Sequence, residues 1–208
     1  MKKYLSSYKI WNKSEDLIRL FWKNKKIALI FNARDIDSIK SEKIINSENI
    51  FLNDLKSIWL IPEILDLKEY FWKENELDNK LKNFSWVFVT WWNVFVLAQA
   101  FKLSWFWKII KRYNKEKINF TYAGYSAWCC ILSPTLYWYH IVDNPNIFPY
   151  KENKKELWDW LWLIEFNFSP HYDSNHPESK LIYEEIQYCI ENKILFKAVR
   201  DWEVLVFE

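Results

Sequence analysis

A chain of 208 residues that contains one glycine, Gly124, has almost no residue able to take a left-handed backbone at low steric cost, yet it carries 15 tryptophans. Tight hairpins, helix C-caps and close approaches of backbone to ligand ordinarily rely on glycine. Average usage of about 7% would put roughly 15 glycines in a chain of this size. The tryptophans stand where those glycines are wanted. Asp201-Trp202 separates two strand-like runs, 196–199 and 203–207, where Asp-Gly would make a tight turn with positive φ. Trp22 and Trp72 close helical patterns at positions that favour a left-handed cap. Trp91-Trp92 follow the apolar run Val87-Phe88-Val89 and lead into a helix, where small residues let backbone amides reach a ligand.

A genuinely tryptophan-rich protein would use indoles for packing or for stacking on sugars, but turn tips and helix ends are poor places for either. Decoding offers the economical explanation. UGA is stop in the standard code, tryptophan in one common variant and glycine in some bacterial lineages. Most of these tryptophans are therefore expected to be glycine in the organism, with Gly124 coming from an ordinary glycine codon.

Half the residues are apolar, enough for one domain spanning 1–208. Lys plus Arg is 29 against 27 for Asp plus Glu, a formal charge of +2 with no long basic run, so nucleic acid is not an expected partner. The basic Met1-Lys2-Lys3 start has no long apolar run behind it, and the apolar stretch 86–101 is interrupted by Thr90, Asn93 and Gln99. Neither a secretory signal nor a membrane span is expected. Cys129, Cys130 and Cys189 are odd in number and lack metal-ligand spacing, which suits reduced thiols in a cytoplasmic protein.

Short apolar runs alternate with helical patterns. Strands are expected at 3–8, 27–32, 63–67, 87–90, 118–123 and 163–168, and helices at 14–21, 36–45, 51–58, 76–84, 94–103, 106–113, after Ser126 and at 177–192, before a closing β-hairpin. Strands separated by helices imply parallel βαβ units. The expected fold is an α/β, doubly wound, mostly parallel sheet with helices on both faces, whose sites form beyond the carboxyl ends of strands.

Trp91-Trp92 and Ser126 fall at that edge. The segment Ala123-Gly124-Tyr125-Ser126-Ala127-Trp128 is a strand end reading G-x-S-x-W, and with Trp128 as glycine it becomes G-x-S-x-G, a nucleophile elbow. The residues two before and two after the serine must be small, because strand and helix close on each other there. A serine capping a core helix is the bland alternative. Serine needs a base, and three histidines are available. His171 follows an expected strand and lies on an edge loop. His176 precedes Pro177 at a helix start, where a structural role is the ordinary one. His140 fits either the surface or a pocket. An oxyanion hole would draw on the amide of Ala127 and one from Trp91 or Trp92.

These segments resemble the peptidase E family of serine peptidases (aspartyl dipeptidases). The likeness runs through Pro62 to Leu67, Val89 to Phe95, Ala123 to Trp128, Ile141 to Pro145 and Ser169 to Tyr172. It implies a class I glutamine amidotransferase-like, flavodoxin-like sheet, with Ser126 as nucleophile, His171 as base, and residue 91 or 92 with Ala127 as oxyanion hole. The family's order of serine, acid, histidine puts the acid between 126 and 171, with Asp143 as nearest candidate, Asp159 and Glu165 as rivals, and a site in which none of the three orients the base as the remaining alternative. The resemblance further implies hydrolysis of short peptides, especially dipeptides beginning with aspartate, without metal or organic cofactor, by a monomer or homodimer. Two alternatives stand beside it: a cyanophycinase-like hydrolase and a catalytically silent binding protein on the same fold. Amidotransferases place cysteine at the elbow, and Cys129 and Cys130 come too late to take that position.

Overall fold

Six short strands organise the computed structural model, which describes residues 1–8, 14–20, 25–36, 42–90, 92–153 and 155–208. They are β1 (Lys2–Ser6), β2 (Lys26–Ile30), β3 (Ile61–Ile64), β4 (Trp86–Val89), β5 (Thr121–Tyr125) and β8 (Val204–Phe207), in the order β3-β2-β4-β5-β1-β8. All neighbours are parallel except β1 and β8. Successive side chains of a strand point to opposite faces. Tyr4, Ile27, Leu29, Trp86, Phe88 and Ala123 accordingly fill one core layer, and Leu5, Ala28, Ile30, Val87, Val89 and Tyr122 the other.

Both layers need cover, as is usual for parallel strands. Leu17 of α1 (Ser14–Leu20) and Leu55 of α2 (Glu42–Ser57) close the first. The second is closed by α3 (Glu74–Leu81), α4 (Val94–Leu103), α5 (Phe106–Lys115) and the single turn α6 (Ala127–Cys130). This is the expected doubly wound α/β architecture. It brings the carboxyl ends of β4, β5 and β1 side by side.

Local chemistry sets the boundaries. Asn93 starts α4 by accepting hydrogen bonds from the backbone N–H groups of Phe95 and Val96, each 2.9 Å. Asp66 caps a 3₁₀ turn at Leu67–Tyr70, which ends β3 three residues earlier than expected. The two helices expected between 36 and 58 are one, α2, with residues 37–41 outside the described residues. The helix after Ser126 is short because Pro134 lies just beyond it and disfavours helical backbone at the preceding residue.

The strand expected at 163–168 is a correction. The amides of Leu163 and Ile164 both turn to the carbonyl of Leu132, leaving only β6 (Asn167–Ser169) extended. β6 pairs in parallel with β7 (Phe196–Ala198) in a separate two-stranded sheet, flanked by α7 (Ser179–Glu191). The C-terminal strand–turn–strand unit is present, and its strands divide between two sheets: β7 joins β6 while β8 joins β1.

Ten described non-glycine residues have positive φ, and five are tryptophans: Trp59 (68°), Trp72 (63°), Trp92 (157°), Trp105 (63°) and Trp162 (54°). A left-handed backbone costs an L-residue roughly 1–2 kcal/mol. Trp72 conforms to the sequence expectation. Trp202 lies in the expected turn but is not among the positive-φ residues, because the turn closes as an ordinary four-residue bend from Arg200 O to Glu203 N–H at 2.8 Å. Trp22 and Trp91 lie outside the described residues. No helix among the described residues is long and apolar enough to cross a membrane.

Candidate active site

Strand β5 ends in a residue forced out of extended backbone. Ser126 sits at φ 58° and ψ −130°, its N–H held by the carbonyl of Ser6 on the neighbouring strand at 3.2 Å. Such a conformation is costly for serine and persists when its surroundings fix it. Here it turns the chain sharply from β5 into α6, presenting the hydroxyl at the carboxyl edge of the sheet. Gly124 is required beneath it: a Cβ at that position would come within 2.8 Å of the Trp128 Cβ and 3.1 Å of the Val89 carbonyl oxygen.

The imidazole arrives from the small sheet. Because β6 and β7 are parallel, with Ser169 opposite Ala198, the residues following both strands leave in the same direction. The pairing continues past the strands through Val199 N–H to Ser169 O (2.9 Å) and Tyr172 N–H to Val199 O (3.2 Å). His171 and Asp201 are thereby brought together. His171 Nδ1 lies 2.6 Å from Asp201 Oδ1, and Nε2 lies 3.0 Å from Ser126 Oγ. A carboxylate only accepts, so the proton belongs on Nδ1 and the Nε2 lone pair faces the hydroxyl. Both partners are shielded from solvent, Ser126 being 6% and His171 1% exposed.

Ser7, just past β1, ties the group together. Its Oγ accepts the His171 backbone N–H at 2.7 Å and donates to Asp201 Oδ1 at 3.3 Å. The Asp201 N–H donates to Ser174 Oγ at 2.9 Å. Burial pushes the Asp201 carboxyl upward, but the His171 hydrogen bond, the neighbouring imidazoles and the Ser7 hydroxyl outweigh it and hold the group below the usual carboxylate range. It stays ionised at neutral pH.

None of the three acids expected from the sequence hydrogen-bonds the imidazole. Asp143 does not meet the imidazole; its Oδ2 accepts the Val94 N–H at the start of α4, 2.7 Å away. Asp159 is exposed, beside Trp107 and Trp160 in a different cleft, and Glu165 is exposed. Along the chain the order is serine, histidine, aspartate. Asp201 drew attention in the sequence only as a turn residue, because β7 reads there as the hairpin partner of β8. Its parallel pairing with β6, and hence the meeting of 171 with 201, is a long-range feature that local patterning does not carry.

Beyond Ser126 lies a cavity of about 20 Å³, lined in part by Trp92, Ala127, Tyr139, Asp143, Glu178 and Glu185. That is room for about one water. Ala127 opens α6, so its N–H has no intrahelical acceptor. Trp92, 44% exposed, stands at the cavity wall, and Trp91 lies outside the described residues. Trp128 is fully buried, its indole N–H driven against the Thr90 carbonyl. The indole N–H groups of Trp138 and Trp160 are buried with no acceptor among the described residues, which costs free energy.

His176 stacks on His171 with ring centroids 3.7 Å apart, and burial together with the neighbouring imidazole lowers its pKa to about 4. With His171 and Glu178 it forms a trio whose ligand-type atoms lie within 4.8 Å of one another. One of its members is the imidazole already engaged with Ser126. His140 is exposed and directs Nδ1 to the Tyr137 carbonyl, away from the site. The three cysteines are free and buried, and burial raises the thiols of Cys129 and Cys130 well above their ordinary range.

A doubly wound α/β sheet with an elbow serine at one strand end, backed by histidine and aspartate in hydrogen-bonded series, defines the class of protein. Residues 6–205 match the sequence profile of peptidase family S51, and the chain belongs to that family and is a peptidase. Its structure is similar to that of a protein provisionally described as a peptidase E from Listeria monocytogenes EGD-e (TM-score 0.76, 22% identity, covering 99% of this chain and 93% of that one). It is also similar to a peptidase from an acI-B1 Actinobacterium (TM-score 0.60, 13% identity, covering 100% and 83%). No curated protein matches the chain.

Proposed function

We propose that this chain is a serine-type peptidase acting on short peptides through an acyl-enzyme on Ser126, with His171 as general base and acid and Asp201 as the orienting carboxylate. The observation that carries it is the unbroken series Ser126 Oγ to His171 Nε2 at 3.0 Å and His171 Nδ1 to Asp201 at 2.6 Å. His171 Nε2 takes the hydroxyl proton as Oγ attacks the scissile carbonyl carbon. The Ala127 amide, with one from residue 91 or 92, would receive the oxyanion. The proton then passes to the leaving amine, and water hydrolyses the ester with the same imidazole as base. Asp201 remains ionised throughout, fixing the tautomer and stabilising the imidazolium.

We further propose that tryptophans 91, 92 and 128 are glycines in the organism's own protein. Support comes from the five indole-bearing residues at positive φ, the buried indole pressed on Thr90, and a cavity too small for a peptide. The gene decides this directly: TGG at codons 91, 92 and 128 would refute it. The same tight cavity is what favours the second reading, a binding protein without turnover, should those indoles be real.

For the enzyme, a glycine-containing recombinant protein is expected to label at Ser126 with a fluorophosphonate, and Ser126→Ala to abolish labelling. Absence of labelling in the folded parent protein would overturn the assignment.

A further inference from the structure

Three carboxyl groups line the cavity beside Ser126, namely Asp143, Glu178 and Glu185, and no lysine or arginine does. Neutral donors hold two of them in place without cancelling their charge. Glu185 Oε1 accepts from Ser169 Oγ at 2.6 Å and Asn167 Nδ2 at 2.9 Å, and Asp143 Oδ2 from the Val94 N–H at 2.7 Å. Glu185 is fully buried, yet its second oxygen has no hydrogen-bond partner among the described residues. A buried acceptor left open in this way costs free energy unless a ligand supplies the donor.

Resting on the serine-peptidase reading and on glycine in place of the Trp92 indole at the cavity wall, we infer that this cavity is a subsite for a positively charged group of the substrate, an ammonium or guanidinium, received by Asp143, Glu178 and Glu185. Burial pushes all three carboxyls upward, Asp143 to about 8 and Glu185 to about 7, and Asp143 is raised further by the charges of Glu178 and Glu185. The empty site therefore resists ionising, whereas a cation beside these groups favours their charged forms and a substrate carboxylate disfavours them. The aspartate preference implied by family resemblance finds no cation among the lining residues. Two sources offer the cation: the free α-amine of a peptide, or a lysine or arginine side chain.

The test uses the glycine-containing full chain with the aminoacyl-coumarin amides of lysine, arginine, alanine and aspartate, each with free and N-acetylated amine. A side-chain source predicts lysine and arginine at least about tenfold above alanine in kcat/KM, with N-acetylation tolerated. An α-amine source predicts alanine and lysine alike, with about tenfold or greater loss on N-acetylation. Either result supports the subsite, and Glu185→Gln should then erase most of the preference in a protein that still labels at Ser126 with the fluorophosphonate. Asp143→Asn, which keeps an oxygen for the Val94 N–H, serves as a second variant should Glu185→Gln not fold. Aspartate as the best substrate, or indifference to both side chain and acetylation in an enzyme that still labels, would overturn the subsite alone. Loss of labelling in the parent protein would instead strike the serine mechanism.

Discussion

On the imidazole side of the Ser126 hydroxyl, each polar group of the hydrogen-bonded series has a partner: His171 is held by Asp201, and Asp201 by Ser7 and Ser174. On the cavity side, among the described residues, Glu185 keeps a buried oxygen without a donor and Asp143 accepts a hydrogen bond from one backbone amide. The same functional group thus behaves in opposite ways. Hydrogen bonds and imidazoles bring Asp201 down despite burial, whereas burial raises Asp143 and Glu185. A completed network holds a charge ready for chemistry, and an incomplete one marks where something else must bind.

The sharpest way to break this comparison is on the completed side. Ser126→Ala should lower kcat by about 10⁶-fold if the hydroxyl is the nucleophile, measured against an intact circular dichroism spectrum. Asp201→Asn should cost about 10⁴-fold, because an amide can hold imidazole in the wrong tautomer. An Asp143→Asn loss of that size, with Asp201→Asn near wild type, would return the orienting role to Asp143. Ser7→Ala removes one neutral hydrogen bond and one to an ionised carboxylate, and should reduce kcat about tenfold.

Stability against pH separates the two sides by sign. Asp143 and Glu185 have folded pKa values of about 8 and about 7, above their ordinary 3.8 and 4.5, so their protonated forms are the stabilised ones. Their contribution is complete below the ordinary values and is lost as pH rises through the folded ones. Asp201 runs oppositely: its folded pKa is lowered, and its contribution is present above the ordinary 3.8 and lost as pH falls through the folded value. Asp143→Asn is therefore expected to raise the thermal midpoint at pH 8 by on the order of several degrees, with little change at acid pH. Trp59→Gly, outside both regions, should stabilise by about 1 kcal/mol in urea unfolding, since Trp59 is 77% exposed at φ 68° and has little packing to lose.

What the sequence disclosed was local. Alternation within Ile27–Ile30 and Val87–Val89, the cap at Asn93 and the small residues around Ser126 are written in neighbouring positions, so the sheet, α4 and the elbow were legible. His171, the base in the proposed mechanism, could be singled out because few histidines compete for that role. Asp201 was not, since its place depends on β6 and β7 pairing across more than two dozen residues of intervening chain. The unusual codon expectation had visible structural company at Trp72, and more at Trp59, Trp105 and Trp162, which the sequence did not single out.

Histidine and aspartate ride on one narrow ribbon, while the serine is anchored to the broad sheet. Sliding that ribbon would stretch the hydroxyl–imidazole gap and leave the imidazole–carboxylate bond intact. On the proposed serine mechanism, such loosening would idle the site with its proton acceptor still primed.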